Sequence, residues 1–190
     1  ANQIDLDQLL SVAGTSLPAP AESTLTPSVQ RDIRIGIARD AAFGFYYPDD
    51  QEAFARAGAE LVPFNTLTDK SLPDVDALFI GGGFPEIHME ALSANNPMRE
   101  AIRKAIDNGL PVYAECGGLM YLAREIRWRE KTCEMVGAIP ADVLMHERPV
   151  GRGYILFEKT GSSLWSTPES GGEELFSAHE FHYSSLENLD

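Results

Sequence analysis

Between Asp32 and Ile126, short apolar runs alternate with helix-forming stretches, and this alternation constrains the fold more than any other feature. Ile33, Ile35 and Ile37 alternate with Arg34 and Gly36, the two-residue period of a first strand. Leu61-Val62-Pro63-Phe64 is a second strand. Ala77-Leu78-Phe79-Ile80 is a third, wholly apolar and ended by Gly81-Gly82-Gly83. Leu110 to Ala114 is a fourth. Between them, Asp49 or Asp50 is placed to cap a helix that runs to about Ala57 and stops at Gly58. Asn96 at N-cap and Pro97 at N1 open the clearest helix. Its Met98, Ala101, Ile102, Ala105 and Ile106 form one apolar stripe, and Gly109 ends it. A further helix is predicted over Leu119 to Ile126. Strands alternating with helices at this spacing predict an α/β fold, a mostly parallel central sheet with helices on both faces. After Trp128 the pattern shifts to strands, over Val136–Leu144, Gly153–Phe157 and Leu175–Phe181.

Residues 1–31 read differently. Asp5 to Val12 forms a short helix, and Ser16 to Ser28 carries three prolines among small polar residues. Such a stretch buries too little to fold and reads as a linker. The division expected is 1–31, a linker and the end of a missing N-terminal domain, then 32–190, one domain. The absence of an initiating Met fits a fragment, and Asp190 follows no closing element, which fits a C-terminal truncation.

The 29 acidic and 15 basic residues leave a net charge of −14. A nucleic-acid binder needs a basic face to meet phosphates, and this chain offers the opposite. A membrane surface is excluded on the same ground. No apolar run approaches the roughly 18 residues of a spanning helix, and the polar N-terminus is no signal peptide. Two cysteines, Cys116 and Cys133, are too few for a disulfide framework. These features predict a soluble cytoplasmic protein with reduced thiols.

The chemistry concentrates in PVYAECGGLMYLA, residues 111–123. A strand ends at Glu115, Cys116 follows, and Gly117-Gly118 opens a helix. This is the strand–nucleophile–helix order of an elbow, whose tight turn needs small neighbours such as Ala114 and Gly118. A helix N-terminus carries partial positive charge, which favours a thiolate. The Gly117 N–H then points to where an oxyanion forms. Alone, a cysteine at a strand end is more often a small buried apolar residue. The glycines at 81–83 end the preceding strand, on the edge where parallel sheets bind ligands. Gly82 and Gly83 are candidates for the second half of an oxyanion hole.

A thiolate nucleophile needs a base, usually histidine. His88 lies in the helical segment PEIHMEAL and reads as a surface residue; His146 lies in a polar loop and reads as having no special role. His179 and His182 lie in SAHEFHYSS. Three apart on a strand, they face opposite sides, so at most one serves Cys116. Neither HExxH nor a Cys/His/Asp cluster is present to bind a metal. No GxxxxGK[ST] loop is present to cradle ATP phosphates.

Taken together, DAAFGFYYPDD, LFIGGGFPE, LSANNPMREAI, PVYAECGGLMYL, GRGY and AHEFHYS resemble the class I glutamine amidotransferase domain, in its cobyrinic acid a,c-diamide synthase branch. The resemblance spans residues 32–190. It implies a flavodoxin-like α/β fold with Cys116 as nucleophile, His182 as the assisting base and His179 as its neighbour. It implies that the full-length enzyme hydrolyses glutamine and uses the ammonia, with ATP and Mg²⁺ in the missing domain, to amidate two carboxylates of a corrinoid or related tetrapyrrole. Cobyrinate, hydrogenobyrinate and nickel sirohydrochlorin all fit, and a homodimer is compatible. No cofactor is expected in this chain. Many class I domains carry His-x-Glu, but here Ser184 stands two after His182, so a Cys–His dyad is expected, with Glu180 on the same strand face as His182. Arg152 and the aromatic run Phe43 to Tyr47 face the partner domain or the tetrapyrrole, or are a surface arginine and core aromatics. Two rival readings are a redox or protease-like domain and a non-catalytic binding domain of the same fold.

Overall fold

A computed structural model describes residues 5–14, 32–158 and 175–189. The chain divides into two units, residues 1–30 and 31–190. In the first, α1 (Leu6–Ala13) is capped by the Asp5 carboxylate, which accepts from the N–H groups of Asp7 and Gln8. The proline-rich stretch Ser16–Ser28 lies outside the described residues.

The second unit is built on four strands, β1 (Ile33–Ala38), β3 (Ala59–Phe64), β4 (Ala77–Ile80) and β6 (Val112–Ala114), all parallel, in the spatial order β3-β1-β4-β6. Counted within this sheet the order is second, first, third, fourth, the flavodoxin-like arrangement that the resemblance implies. Register aligns the carboxyl ends: Ala38 pairs with Phe64, and Ile80 with Ala114. The segments that follow β1, β3, β4 and β6 therefore emerge along one edge. Two short strands after β1 and β4, β2 (Phe43–Phe45) and β5 (Gly82–Gly83), pair antiparallel there.

One face of the sheet carries the main core. Ala38, Leu78 and Ile80 pack with Met89 and Leu92 of α3 (Met89–Ala94), Met98 and Ile102 of α4 (Asn96–Asp107), and Met120, Tyr121 and Leu122 of α5 (Gly117–Leu122). Ile106 packs against this cluster from the same stripe. On the other face Phe79 meets Phe54 of α2 (Pro48–Arg56), with Tyr46 and Tyr113 edge-on or tilted beside it.

Several boundaries depart from the sequence reading. The N-cap of α2 is Tyr47, with Pro48 first in the helix and no side-chain cap bond; Asp49 and Asp50 sit inside the first turn, where carboxylates still complement the helix dipole. Asn95, not Asn96, flanks α4, and its side chain makes no cap bond because it donates instead to the carbonyls of Thr66 and Asp69. The helix predicted over Leu119–Ile126 stops at Leu122. Ala123 turns extended, and Ile126 is buried in β7 (Glu125–Trp128). The strand predicted over Val136–Leu144 is confined to β9 (Asp142–Met145). With β8 (Lys131–Glu134) and β12 (Ser184–Glu187) these form a mixed sheet, β12-β9-β7-β8. β10 (Gly151–Glu158) and β11 (Leu175–His182) form a separate antiparallel ribbon. Among the described residues no helix is long and apolar enough to cross a membrane.

Candidate active site

Cys116 stands where β6 gives way to α5, at φ +49° and ψ −111°. These angles lie near the first central position of a type II′ turn, a conformation glycine favours. Two hydrogen bonds lock the corner: the Glu115 N–H donates to the Ile80 carbonyl at 3.1 Å, and the Gly118 N–H to the Gly81 carbonyl at 3.1 Å. A side chain at 118 has no room, since a Cβ there would lie 2.8 Å from the Ile80 carbonyl carbon. The thiol itself is exposed.

The glycine turn after β4 faces this corner. A Cβ built on Gly82 would lie 3.8 Å from Cys116 Cβ, and one on Gly117 would lie 3.1 Å from the Gly83 backbone nitrogen. Cys116, Gly82, Gly83 and Gly117 thus lie together. The Gly117 N–H is in the first turn of α5, where a donor has no helical carbonyl behind it. Such donors beside a nucleophile suit a developing oxyanion.

His182 ends β11 and lies over its register partner Gly151, where a Cβ would come within 2.6 Å of its Cδ2. Its Nδ1 is 2.7 Å from the Ser184 carbonyl oxygen. A carbonyl only accepts, so in the neutral ring Nδ1 carries the proton and Nε2 keeps its lone pair, as a base requires. The backbone of Ser184 thus supplies an orienting acceptor at the position where many class I domains carry Glu. Glu180, on the same strand face, reaches Nε2 at 3.5 Å. His179 is exposed on the opposite face, edge-on to Tyr154 at 5.5 Å. Among the described residues no hydrogen bond or ion pair joins His182 to Cys116.

His88, read as a surface residue, is half-buried, and so is His146. His88 flanks the start of α3, and His146 Nε2 lies 2.8 Å from Ser185 Oγ. Arg152 is exposed. The aromatic run divides: Phe43 is fully buried, Phe45 and Tyr47 are exposed, and Tyr46 lies between.

The parts that three residues play in this geometry escaped the sequence reading. The Asp40 carboxylate accepts from the N–H groups of Ala42, Phe43 and Thr66 and from the Thr66 hydroxyl, tying the segment after β1 to that after β3. Pro85 packs against Gly117. The Tyr46 hydroxyl donates to the Ala38 carbonyl and accepts from the Gly81 N–H at 3.1 Å. Only the aromatic composition of the Tyr46 segment marked it, and nothing in spacing linked it to Gly81. A concavity of about 770 Å³ between α2 and the sheet, lined by Phe54, Phe79 and Tyr113, does not include Cys116.

A CobB/CobQ-like glutamine amidotransferase domain matches residues 34–190. The cobyrinate a,c-diamide synthase of Magnetococcus marinus is 43 % identical over 195 residues, covering 99 % of this chain and 41 % of that protein. The enzyme of the same name from Archaeoglobus fulgidus is 40 % identical, over 95 % of this chain and 39 % of its own length. The chain therefore spans about two fifths of the relatives it matches. A crystal structure of a glutamine amidotransferase superposes with TM-score 0.50 at 19 % identity, over 82 % of this chain and 75 % of that one, a likeness of fold. The chain belongs to the CobB/CobQ-like glutamine amidotransferase family.

Proposed function

We propose that this domain hydrolyses glutamine through Cys116 and supplies ammonia to a synthetase site elsewhere in the full-length protein, for amidation of the a and c carboxylates of cobyrinate. The observation that carries the reading is the strained Cys116 corner held against the Gly81–Gly83 turn, in a chain 43 % identical to a cobyrinate a,c-diamide synthase.

The Cys116 thiolate attacks the side-chain carbonyl carbon of glutamine, forming the C–S bond and an oxyanion. N–H groups at Gly82, Gly83 and Gly117 stabilise that charge. The C–N bond breaks and the nitrogen leaves as ammonia, taking a proton from the imidazolium of the base. Water then adds to the γ-glutamyl thioester, the C–S bond breaks, and glutamate departs with the thiol restored. His182 is the base this chain offers, on the strength of its Nδ1 bond to Ser184 and the lone pair left on Nε2. It acts only where the full-length enzyme brings Nε2 to Cys116. ATP and Mg²⁺ belong to the synthetase site, where carboxylate activation takes place.

The test is glutaminase activity of the full-length protein. Cys116→Ser abolishes it on this reading, while His179→Ala leaves it near wild type. His182→Ala lowers it by about 10²-fold or more, the usual worth of a general base. Activity that survives Cys116→Ser overturns the function. Activity that survives His182→Ala alone overturns the base and moves it to another part of the full-length protein.

A further inference from the structure

We propose that Tyr46 is a positioning residue for glutamine hydrolysis, its hydroxyl holding the Gly81–Gly83 turn at the distance from Cys116 that oxyanion stabilisation requires. The inference rests on the hydrolytic reading of Cys116 and extends it to a residue 35 positions before the turn it holds.

Tyr46 sits where the sheet order reverses, between β1 and β4, and bonds to both. Its hydroxyl donates to the carbonyl of Ala38, the last residue of β1, and accepts from the N–H of Gly81, the first residue past β4. One oxygen therefore bridges the two strand ends that flank the crevice. The ring does a second thing. A Cβ at position 81 would lie 2.6 Å from Tyr46 Cε1, so the ring lies directly against the turn backbone. The ring also meets Phe79 at 5.2 Å, edge-on.

The residues around Tyr46 fasten the same turn from the same side. Phe43 pairs with Gly83 and Phe45 with Gly82 across β2 and β5, and the Phe84 N–H donates to the Ala42 carbonyl at 3.0 Å. On the opposite side the Gly81 carbonyl accepts from the Gly118 N–H, in the turn that carries Cys116. Gly81 is thus held through its N–H by Tyr46 and through its carbonyl by the nucleophile's own corner. Removing the hydroxyl frees one of these two tethers and leaves the Gly81 N–H and Ala38 carbonyl without their partner. Burial pushes the Tyr46 hydroxyl up to about 12, so it remains a neutral donor throughout the range in which a thiolate enzyme works.

Oxyanion stabilisation depends on donor position to a fraction of an ångström, and a displacement of about 1 Å can cost about 10²-fold in rate. Thiolate formation needs no oxyanion donor from the turn. A positioning role therefore separates two readouts that a merely structural one moves together.

In the full-length enzyme, Tyr46→Phe keeps the ring and removes the hydroxyl. The expected result is a fall of about 10- to 100-fold in kcat for glutamine hydrolysis, with KM within about twofold. Alkylation of Cys116 by iodoacetamide, which needs a thiolate but no oxyanion, keeps its wild-type rate. Unchanged kcat, or alkylation slowed as much as kcat, overturns the proposal. Amide hydrogen exchange on the wild type needs no variant: the Gly81 amide is expected to be protected, and exchange as fast as an exposed loop overturns the tether. Should wild-type glutamine hydrolysis prove independent of Cys116, the functional reading fails instead, and the exchange result still decides the tether.

Discussion

Replacing Cys116 by glycine should remove the activity and stabilise the fold. At φ +49° and ψ −111° the cysteine occupies a region that residues with a Cβ rarely adopt. Such strain costs of order 1–3 kcal/mol and persists only where the surroundings impose it. Here they do, through the bonds of Glu115 to Ile80 and of Gly118 to Gly81. Glycine relieves the strain but gives back roughly 0.5–1 kcal/mol through the greater freedom of its unfolded chain. Because the thiol is exposed, little burial is lost with it. The difference leaves about 1 kcal/mol in favour of Cys116→Gly over Cys116→Ala, which keeps the Cβ and the strain. For a chain of this size that is roughly 2–4 °C in Tm. Urea and thermal unfolding of the two variants, side by side, measure it. A glycine variant no more stable than the alanine variant would refute the idea that the fold stores strain at Cys116.

Two further outcomes follow from the packing. Gly118→Ala forces a Cβ against the Ile80 carbonyl group and should cost about 3 kcal/mol, the upper end for overpacking, in urea unfolding; a loss below about 1 kcal/mol would show that α5 is free to shift from β4. The Asp142 carboxyl is held below the usual carboxylate range by bonds from Asn188 and Arg124, with the charge of Arg127 adding to them. A lowered folded-state value means that its stabilisation is complete above the unfolded value of about 4 and is lost as pH falls through the folded one. Wild type should therefore lose stability more steeply than Asp142→Asn between about pH 5 and pH 2, read as the urea midpoint at each pH. Parallel profiles would contradict that coupling.

The parallel sheet was legible because each strand announced itself locally. Ile33, Ile35 and Ile37 alternate, Ala77–Ile80 is wholly apolar, and glycines mark the strand ends. The elbow was legible for the same reason: strand, Cys116 and two glycines are contiguous. Misreadings arose where tertiary partners outweighed local pattern. Leu119, Leu122, Ala123 and Ile126 keep a helical period, yet Ile126 is buried by pairing β7 with β8 and β9. Asn96 before Pro97 is a good cap by composition, but the chain uses Asn95 there and spends its side chain on Thr66 and Asp69. The bonds of Tyr46 and Asp142 were invisible because their partners are remote. Gly81 lies 35 residues from Tyr46, and Asn188 lies 46 from Asp142. The face on which His179 and His182 would stand was readable from their spacing. The acceptor that orients His182 was not, since a backbone carbonyl has no signature in a sequence.

The central claim concerns one sulfur atom and is tested by covalent trapping. The full-length protein is treated with a glutamine-analogue diazoketone, and the modified peptide is identified by mass spectrometry. A single adduct on Cys116 that glutamine prevents is the expected result. Labelling at another residue, or labelling of Cys116 that glutamine does not slow, would contradict it.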